Sequence, residues 1–246
     1  MLKKHDFVEL DYTGKLENGT IFDTTLERVA KENHLHEDEH HEEEKPAYKP
    51  IIVCIGELQV VKGLDEALIG KEPEAPFTVK LSAEQAFGKK DVKLIKLIPM
   101  STFHKQEIMP YPGLRINIDD TIATVLRVSG GRVLVDYNHP LANKTIIYDV
   151  SLRKRITDKK QQIESYLAYA LPLPCTVHVN EKSAAIETEP KLPQELIKPL
   201  ADKLNEVTGM SVEFKQKNKK EKRGKEEKEE KEEKEDSINI QQASNV

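Results

Sequence analysis

The run Pro50-Ile51-Ile52-Val53-Cys54-Ile55-Gly56-Glu57-Leu58-Gln59-Val60-Val61-Lys62-Gly63-Leu64 changes character along its length. Its first part is short, wholly apolar and rich in β-branched residues, which suits a buried strand. Leu64, Ala67 and Leu68 then follow at helical spacing, and Gly70 stands where a C-cap would close the helix. Strand patterns flank the run on both sides. Val8, Leu10 and Tyr12 alternate with polar residues, Asn18-Gly19 offers a hairpin turn, and Ile21-Phe22 begins the return strand. Phe77-Thr78-Val79-Lys80-Leu81 alternates again.

Other segments are different in kind. Residues 27–49 break the pattern: between Asn33 and Glu44 lie four histidines (His34, His36, His40, His41) and six acids, so a solvated loop is expected. Residues 91–136 are dense and irregular in apolar residues, then give strand patterns at 121–128 and 132–136 joined by Ser129-Gly130-Gly131. Residues 144–156 read as one more strand. Residues 158–216 read helix, strand, strand, helix, strand, with Leu192, Leu196, Ile197, Leu200, Leu204 and Val207 forming one stripe. This last unit is near the lower size limit for an independent core, so it is expected to dock on its neighbour or form a homodimer with a second copy. Residues 217–236 hold 18 charged residues, nine of each sign, and cannot bury apolar surface.

Composition narrows the function. The 246 residues are 37% hydrophobic and 33% charged, with a formal net charge of −5, which gives no general attraction to nucleic acid. The two cysteines, Cys54 and Cys175, are far apart and in no metal-ligand spacing, so a reducing interior is expected. No stretch approaches a membrane span, and the N-terminus has no apolar signal region. A soluble cytoplasmic protein is expected, with no nucleic acid or membrane partner.

Four short segments, in order, carry a resemblance: Gly19-Thr20-Ile21-Phe22-Asp23, Gly56 to Leu64, Ala86-Phe87-Gly88, and Asn138-His139-Pro140-Leu141-Ala142. Together they resemble the FKBP-type peptidyl-prolyl cis-trans isomerases, in the SlyD-like branch and its long archaeal forms. The resemblance implies an α+β fold: an FKBP-like antiparallel β half-barrel around a short helix, with an inserted small β-rich flap domain and a C-terminal α+β domain. It implies a discontinuous isomerase domain at 1–90 and 137–156 and a chaperone flap at 91–136. A C-terminal α+β domain at 157–216 and a charged, disordered tail at 217–246 complete the expected layout.

The chemistry such a family performs needs no nucleophile. Rotation about an X-Pro bond faces a barrier of roughly 20 kcal/mol because the planar amide has partial double-bond character. Twisting removes the resonance that places charge on oxygen, so an apolar, water-excluding pocket favours the twisted form. By the resemblance, Tyr12, Phe22, Val60, Val61, Leu64, Phe87 and Tyr148 line that pocket, and Asp23 is its polar rim. The Val61 N–H would hold the substrate carbonyl, and Leu64 would be the floor. Taken singly, each apolar residue would serve equally well in a core, and Asp23 would serve as a turn residue. Leu64 stands where many relatives have Trp. Phe87 stands where many have Tyr, and so lacks a hydroxyl donor. No cofactor or metal is implied for the site.

The implied partners are unfolded or nascent proline-containing polypeptides. In the flap, Met100, Phe103, Met109 and Tyr111 would offer an adaptable apolar surface, about half of the flap's apolar residues being core. His139, in a turn before Pro140, is expected to be structural. Two other readings stay open at this point. One is a holdase with little isomerase activity, which the missing Phe87 hydroxyl would favour. The other is a metal-handling protein acting through residues 34–44, whose His spacing matches no defined site.

Overall fold

A computed structural model describes residues 1–35, 48–72, 74–118, 121–171 and 173–217. The chain divides into two compact units, Met1–Ile156 and the residues from Thr157 onward. Most of the histidine-acid segment, residues 36–47, and the charged tail from residue 218 lie outside the described residues.

The first unit is mixed α and β, with two antiparallel sheets. The larger sheet contains β1 (Phe7–Leu16), β2 (Ile21–Thr24), β3 (Ile51–Cys54), β4 (Pro76–Leu81) and β9 (Ile146–Ile156). Its order is β2-β1-β9-β4, and β3 pairs with β1 beside β2. The β1–β2 turn uses Gly19 at φ 87°, a conformation that an L side chain rarely adopts, and Asn18 Oδ1 accepts from the Thr20 N–H. Strand alternation sends Val8 and Leu10 of β1 to one face, with Ile146, Tyr148, Val150 and Leu152 of β9. Helix α2 (Lys62–Leu68) lays Leu64 and Leu68 into that face, and Leu2, Val53, Ile55 and Leu81 complete the core. At Gly63, α2 comes close to the end of β4 and the turn after it. A Cβ there would fall 2.6 Å from Leu81 Cδ2, 2.9 Å from Gln85 Cβ and 3.0 Å from the Gln85 carbonyl.

The second sheet orders β5 (Ile95–Pro99), β8 (Arg132–Asp136), β7 (Thr121–Ser129) and β6 (Arg115–Ile118). It has its own core of Phe103, Ile116, Ala123, Val125, Val133 and Val135. Phe103 comes from the short helix α3 (Met100–Lys105) and is buried, so it is core rather than capture surface. Met109 and Tyr111 are exposed, at 80% and 60%. Strand β5 was not legible in the sequence, because its alternation is masked by the apolar residues on either side.

The chain passes between the two sheets through one polar latch. Asp136 accepts from Lys90 Nζ at 2.7 Å, from the Asn138 N–H at 2.9 Å and from Asn138 Nδ2 at 2.7 Å. Asn138 in turn grips the Asp91 backbone, accepting from its N–H at 2.7 Å and donating to its carbonyl at 3.0 Å. Burial pushes the Asp136 carboxyl up, but the donors from Lys90 and Asn138 outweigh it and hold the group below its ordinary range. With the folded value depressed, the latch is at full strength at neutral pH and weakens only as pH falls below about 4.

The expectation of a loop over 27–49 needs correction. Residues Glu27–Glu32 form helix α1, which buries Ala30 and carries the i,i+4 pairs Glu27–Lys31 and Arg28–Glu32. One buried alanine in a charged turn gives too weak a period to read from sequence.

The second unit contains α4 (Lys159–Ala170), β10 (Cys175–Val179), β11 (Ser183–Thr188), α5 (Gln194–Thr208) and β12 (Ser211–Gln216). β10 and β11 are antiparallel, β11 and β12 parallel. Ile163 and Leu167 of α4 and Leu204 and Val207 of α5 are buried, as are Val177, Ala184 and Ile186 of the sheet. Lys159 Nζ donates to the Thr208 carbonyl at 2.7 Å, joining the start of α4 to the end of α5. Leu192 precedes α5, and Leu196, expected on its buried stripe, is exposed.

The close contact at Gly63 gives a test of the core. Gly63→Ala should lower the urea midpoint of the first unit, followed at NMR signals of α2, by the equivalent of about 1–2 kcal/mol. Overpacking outweighs the gain in helix propensity. An unchanged or raised midpoint would show that Leu81 and Gln85 can yield.

Candidate active site

One end of the larger sheet gathers most of the aromatic side chains named above. The Tyr148 ring, on the central strand β9, is almost fully buried. Tyr12 meets it edge to face with centroids 5.7 Å apart, and Phe22 does the same at 6.0 Å. Phe87 meets Phe22 edge to face, also at 6.0 Å. Each such contact is worth about 0.5–1.5 kcal/mol beyond burial, so the four rings hold one another in fixed orientations. The sheet makes this possible at Gly14, where a Cβ would stand 2.7 Å from Phe22 Cζ and 2.9 Å from Tyr148 Cε1. Leu64 is buried beneath, in the cluster that also holds Tyr148, and Val60, Val61, Phe22 and Phe87 pack against that cluster, half-buried.

Asp23 joins the group through Tyr12, whose hydroxyl donates to Asp23 Oδ2 at 2.7 Å. Burial, then the hydrogen bond to Asp23, pushes the Tyr12 phenol well above its ordinary range. Burial and the Asp23 charge do the same to Tyr148. Both phenols therefore stay protonated at any pH at which the protein works. The structure thus brings together Tyr12, Phe22, Asp23, Phe87 and Tyr148 through direct ring or hydrogen-bond contacts. Val60, Val61 and Leu64 join them through the shared apolar cluster.

His139 was expected to be only a turn residue, and it has a further contact. Its ring stacks on Phe87 with centroids 4.6 Å apart and planes 1° from parallel. Its Nδ1 accepts from the Leu141 N–H at 3.1 Å, which leaves Nε2 to carry the proton of the neutral ring. Burial lowers its pKa, favouring that neutral form. The turn is fastened by the Asn143 N–H donating to the Gly88 carbonyl at 2.8 Å. The signal that could have found this contact was the His139-Pro140 dipeptide shortly after strand β8.

A separate cleft of about 470 Å³ lies on the outer face of the sheet, lined by Asp11, Thr13, Leu26, Phe77, Thr78, Asp149 and Ser151 among others. Of the candidate site residues it includes only Tyr12. Its carboxylates are already satisfied: Asp11 by Arg153 and Thr25, Asp149 by Lys15 and Thr78. Among the described residues no three His, Cys, Asp or Glu side chains converge to hold a metal ion, and no helix is long and apolar enough to cross a membrane.

Comparison with known proteins identifies the family. A family model described as FKBP-type peptidyl-prolyl cis-trans isomerase matches residues 1–104. A second, described as the IF domain of FKBP26, matches residues 96–141. The chain is 32% identical over 153 residues to a short-type peptidyl-prolyl cis-trans isomerase of Methanocaldococcus jannaschii, covering 62% of this chain and 93% of that one. It is 32% identical over 148 residues to the FKBP-type isomerase SlyD of Aeromonas hydrophila, covering 59% and 60%. A probable FKBP-type 16 kDa isomerase of Pseudomonas fluorescens is 26% identical over 150 residues, covering 59% of this chain and 85% of that one. The chain belongs to the FKBP-type peptidyl-prolyl cis-trans isomerases. It is an enzyme of that class.

The Tyr12–Asp23 hydrogen bond yields a direct expectation. Tyr12→Phe should keep the edge-to-face contact with Tyr148 and lose the donor to Asp23. Turnover of X-Pro peptides, measured by exchange NMR, should fall about two- to tenfold, the worth of one hydrogen bond of about 0.5–1.5 kcal/mol. Unchanged turnover would mean that Asp23 does not need its phenol.

Proposed function

We propose that Tyr12, Phe22, Asp23, Val60, Val61, Leu64, Phe87 and Tyr148 form the isomerase site, with His139 as a further wall behind Phe87. The observation that carries this is the ring cluster of Tyr12, Phe22, Tyr148 and Phe87 packed against the apolar cluster that contains Leu64. Its chemistry is that of a solvent. The rings exclude water, so the less polar twisted amide is favoured over the planar one. The Val61 N–H holds a substrate carbonyl. Asp23 stays at the rim, fixed by Tyr12, where it orders the wall without transferring a proton. The substrate class is proline-containing polypeptide, unfolded or nascent.

The chain is proposed to combine this catalysis with chaperone capture. The isomerase domain would comprise residues 1–90 and 137–156, the capture flap residues 91–136, and a C-terminal domain residues 157–216. Exposed Met109, Tyr111, Leu97 and Ile122 support capture, since they give the flap an apolar surface its own core does not use. The C-terminal domain would dock on a second copy; Tyr169, Leu173 and Leu196, exposed where α4 closes and α5 opens, support this. The charged segment at 217–246 would be a solvated tail.

Two experiments test the division. Replacing residues 91–136 by a short turn should leave much of the activity on short peptides and remove most of it on a proline-limited refolding protein. The flap holds a long substrate at high effective concentration beside the pocket. Equal losses on both substrates would contradict the division.

The second concerns Phe87, which is half-buried rather than enclosed in the core. Phe87→Tyr should raise activity by up to about tenfold by restoring one donor. A loss of stability with no gain in exchange rate would remove Phe87 from the substrate-facing wall.

A further inference from the structure

The loop between β3 and α2 holds two residues at positive φ, Gly56 at 89° and Leu58 at 54°. The Leu58 conformation is unfavourable for a branched L residue, and its side chain is exposed, so its own burial does not offset that strain. Two side-chain acceptors do. Asp65, in the first turn of α2, is only 3% exposed. Its carboxylate accepts from the Gly56 N–H with both oxygens, at 2.9 and 3.0 Å, and from the Leu58 N–H at 3.4 Å. Gln59 Oε1 accepts from the Cys54 N–H at 2.7 Å, fastening the loop to the last residue of β3.

The same residue grips the far end of the loop. The Leu64 and Asp65 N–H groups donate to the Val61 carbonyl at 2.9 and 3.1 Å. Asp65 therefore binds the loop before Val60 through its carboxylate and after it through its amide. An ionised carboxylate is acceptor-only, so it suits a cluster of converging N–H groups and no neutral side chain of its size replaces it. Neither Asp65 nor Gln59 belongs to the aromatic wall.

We infer that Asp65, assisted by Gln59, is a positioning residue for prolyl isomerisation: it sets the direction in which the Val61 N–H meets the substrate carbonyl. This rests on the reading that the Val61 N–H holds that carbonyl. Hydrogen bonds weaken steeply as their angle closes, so a loop that swings by a modest angle forfeits this one.

The experiment uses the full chain and a short X-Pro peptide as probe. Asp65→Asn keeps the shape but turns a donor toward the Gly56 and Leu58 amides. Gln59→Met keeps the length and removes the acceptor. In each variant the peptide-induced shift of the Val61 amide should be lost or much reduced, while the shifts at Phe22 and Tyr148 persist. Catalytic exchange should fall by up to about tenfold. If Asp65→Asn does not fold, Gln59→Met, at a half-buried side chain, carries the test. Wild-type shifts and rates in the variants would overturn the inference. So would a uniform loss of shifts across the site together with a lower melting temperature, which would mark a merely structural role. A wild-type protein whose Val61 amide ignores the peptide would overturn the site reading itself, and the inference with it.

Discussion

The closure of strand β9 between β1 and β4 is the constraint on which the first unit depends. β9 pairs along the length of β1, from Phe7 opposite Ile156 to Leu16 opposite Ile146, and along β4 on its other edge. It arrives only after the whole second sheet has been made, so the chain must leave near Asp91 and return near Asn138 to the same place. The Lys90–Asp136–Asn138–Asp91 latch meets that requirement with backbone and side-chain bonds together. Register matters here more than strength. A slip of one residue would turn Tyr148 out of the core and put Asp149 in its place.

Once β9 is seated, the ring cluster proposed as the isomerase site follows with little further help. Tyr148 is at its centre, and Tyr12 and Phe22 are set against it by the strands on which they sit. Phe87 and His139 come from the turns on either side of the segment that carries the second sheet and are stacked on each other. The segment that carries the second sheet is therefore tied, at both of its ends, to the ring cluster. The electrostatics are quiet: burial keeps both phenols protonated and favours a neutral His139. These protonation states suit the proposed reading, a reaction that rotates a bond and moves no proton.

Much of this was legible in the sequence. Asn18-Gly19 and Ser129-Gly130-Gly131 marked their hairpins because positive φ leaves few residue choices. The helix beginning near Leu64, strand β9 and the order of elements after residue 158 carried clear periods. What was not legible shared a physical cause: it depends on tertiary partners rather than local pattern. Helix α1 buries a single alanine. Strand β5 has apolar residues on both faces. His139 looks like any turn histidine until Phe87 lies against it. Asp65 looks like a helix-surface acid, and only the return of the loop over α2 makes it a buried acceptor of backbone N–H groups.

On the proposed reading, the ring cluster lowers the barrier by solvation and hydrogen bonding alone. The most direct test is the exchange rate of an X-Pro peptide, measured by NMR with the full-length protein in ordinary and in deuterated water. A rate unchanged by deuterium is expected, since no proton moves in the rate-limiting step. A clear slowing in deuterated water would contradict the claim and would point to proton transfer at Asp23, Tyr12 or His139.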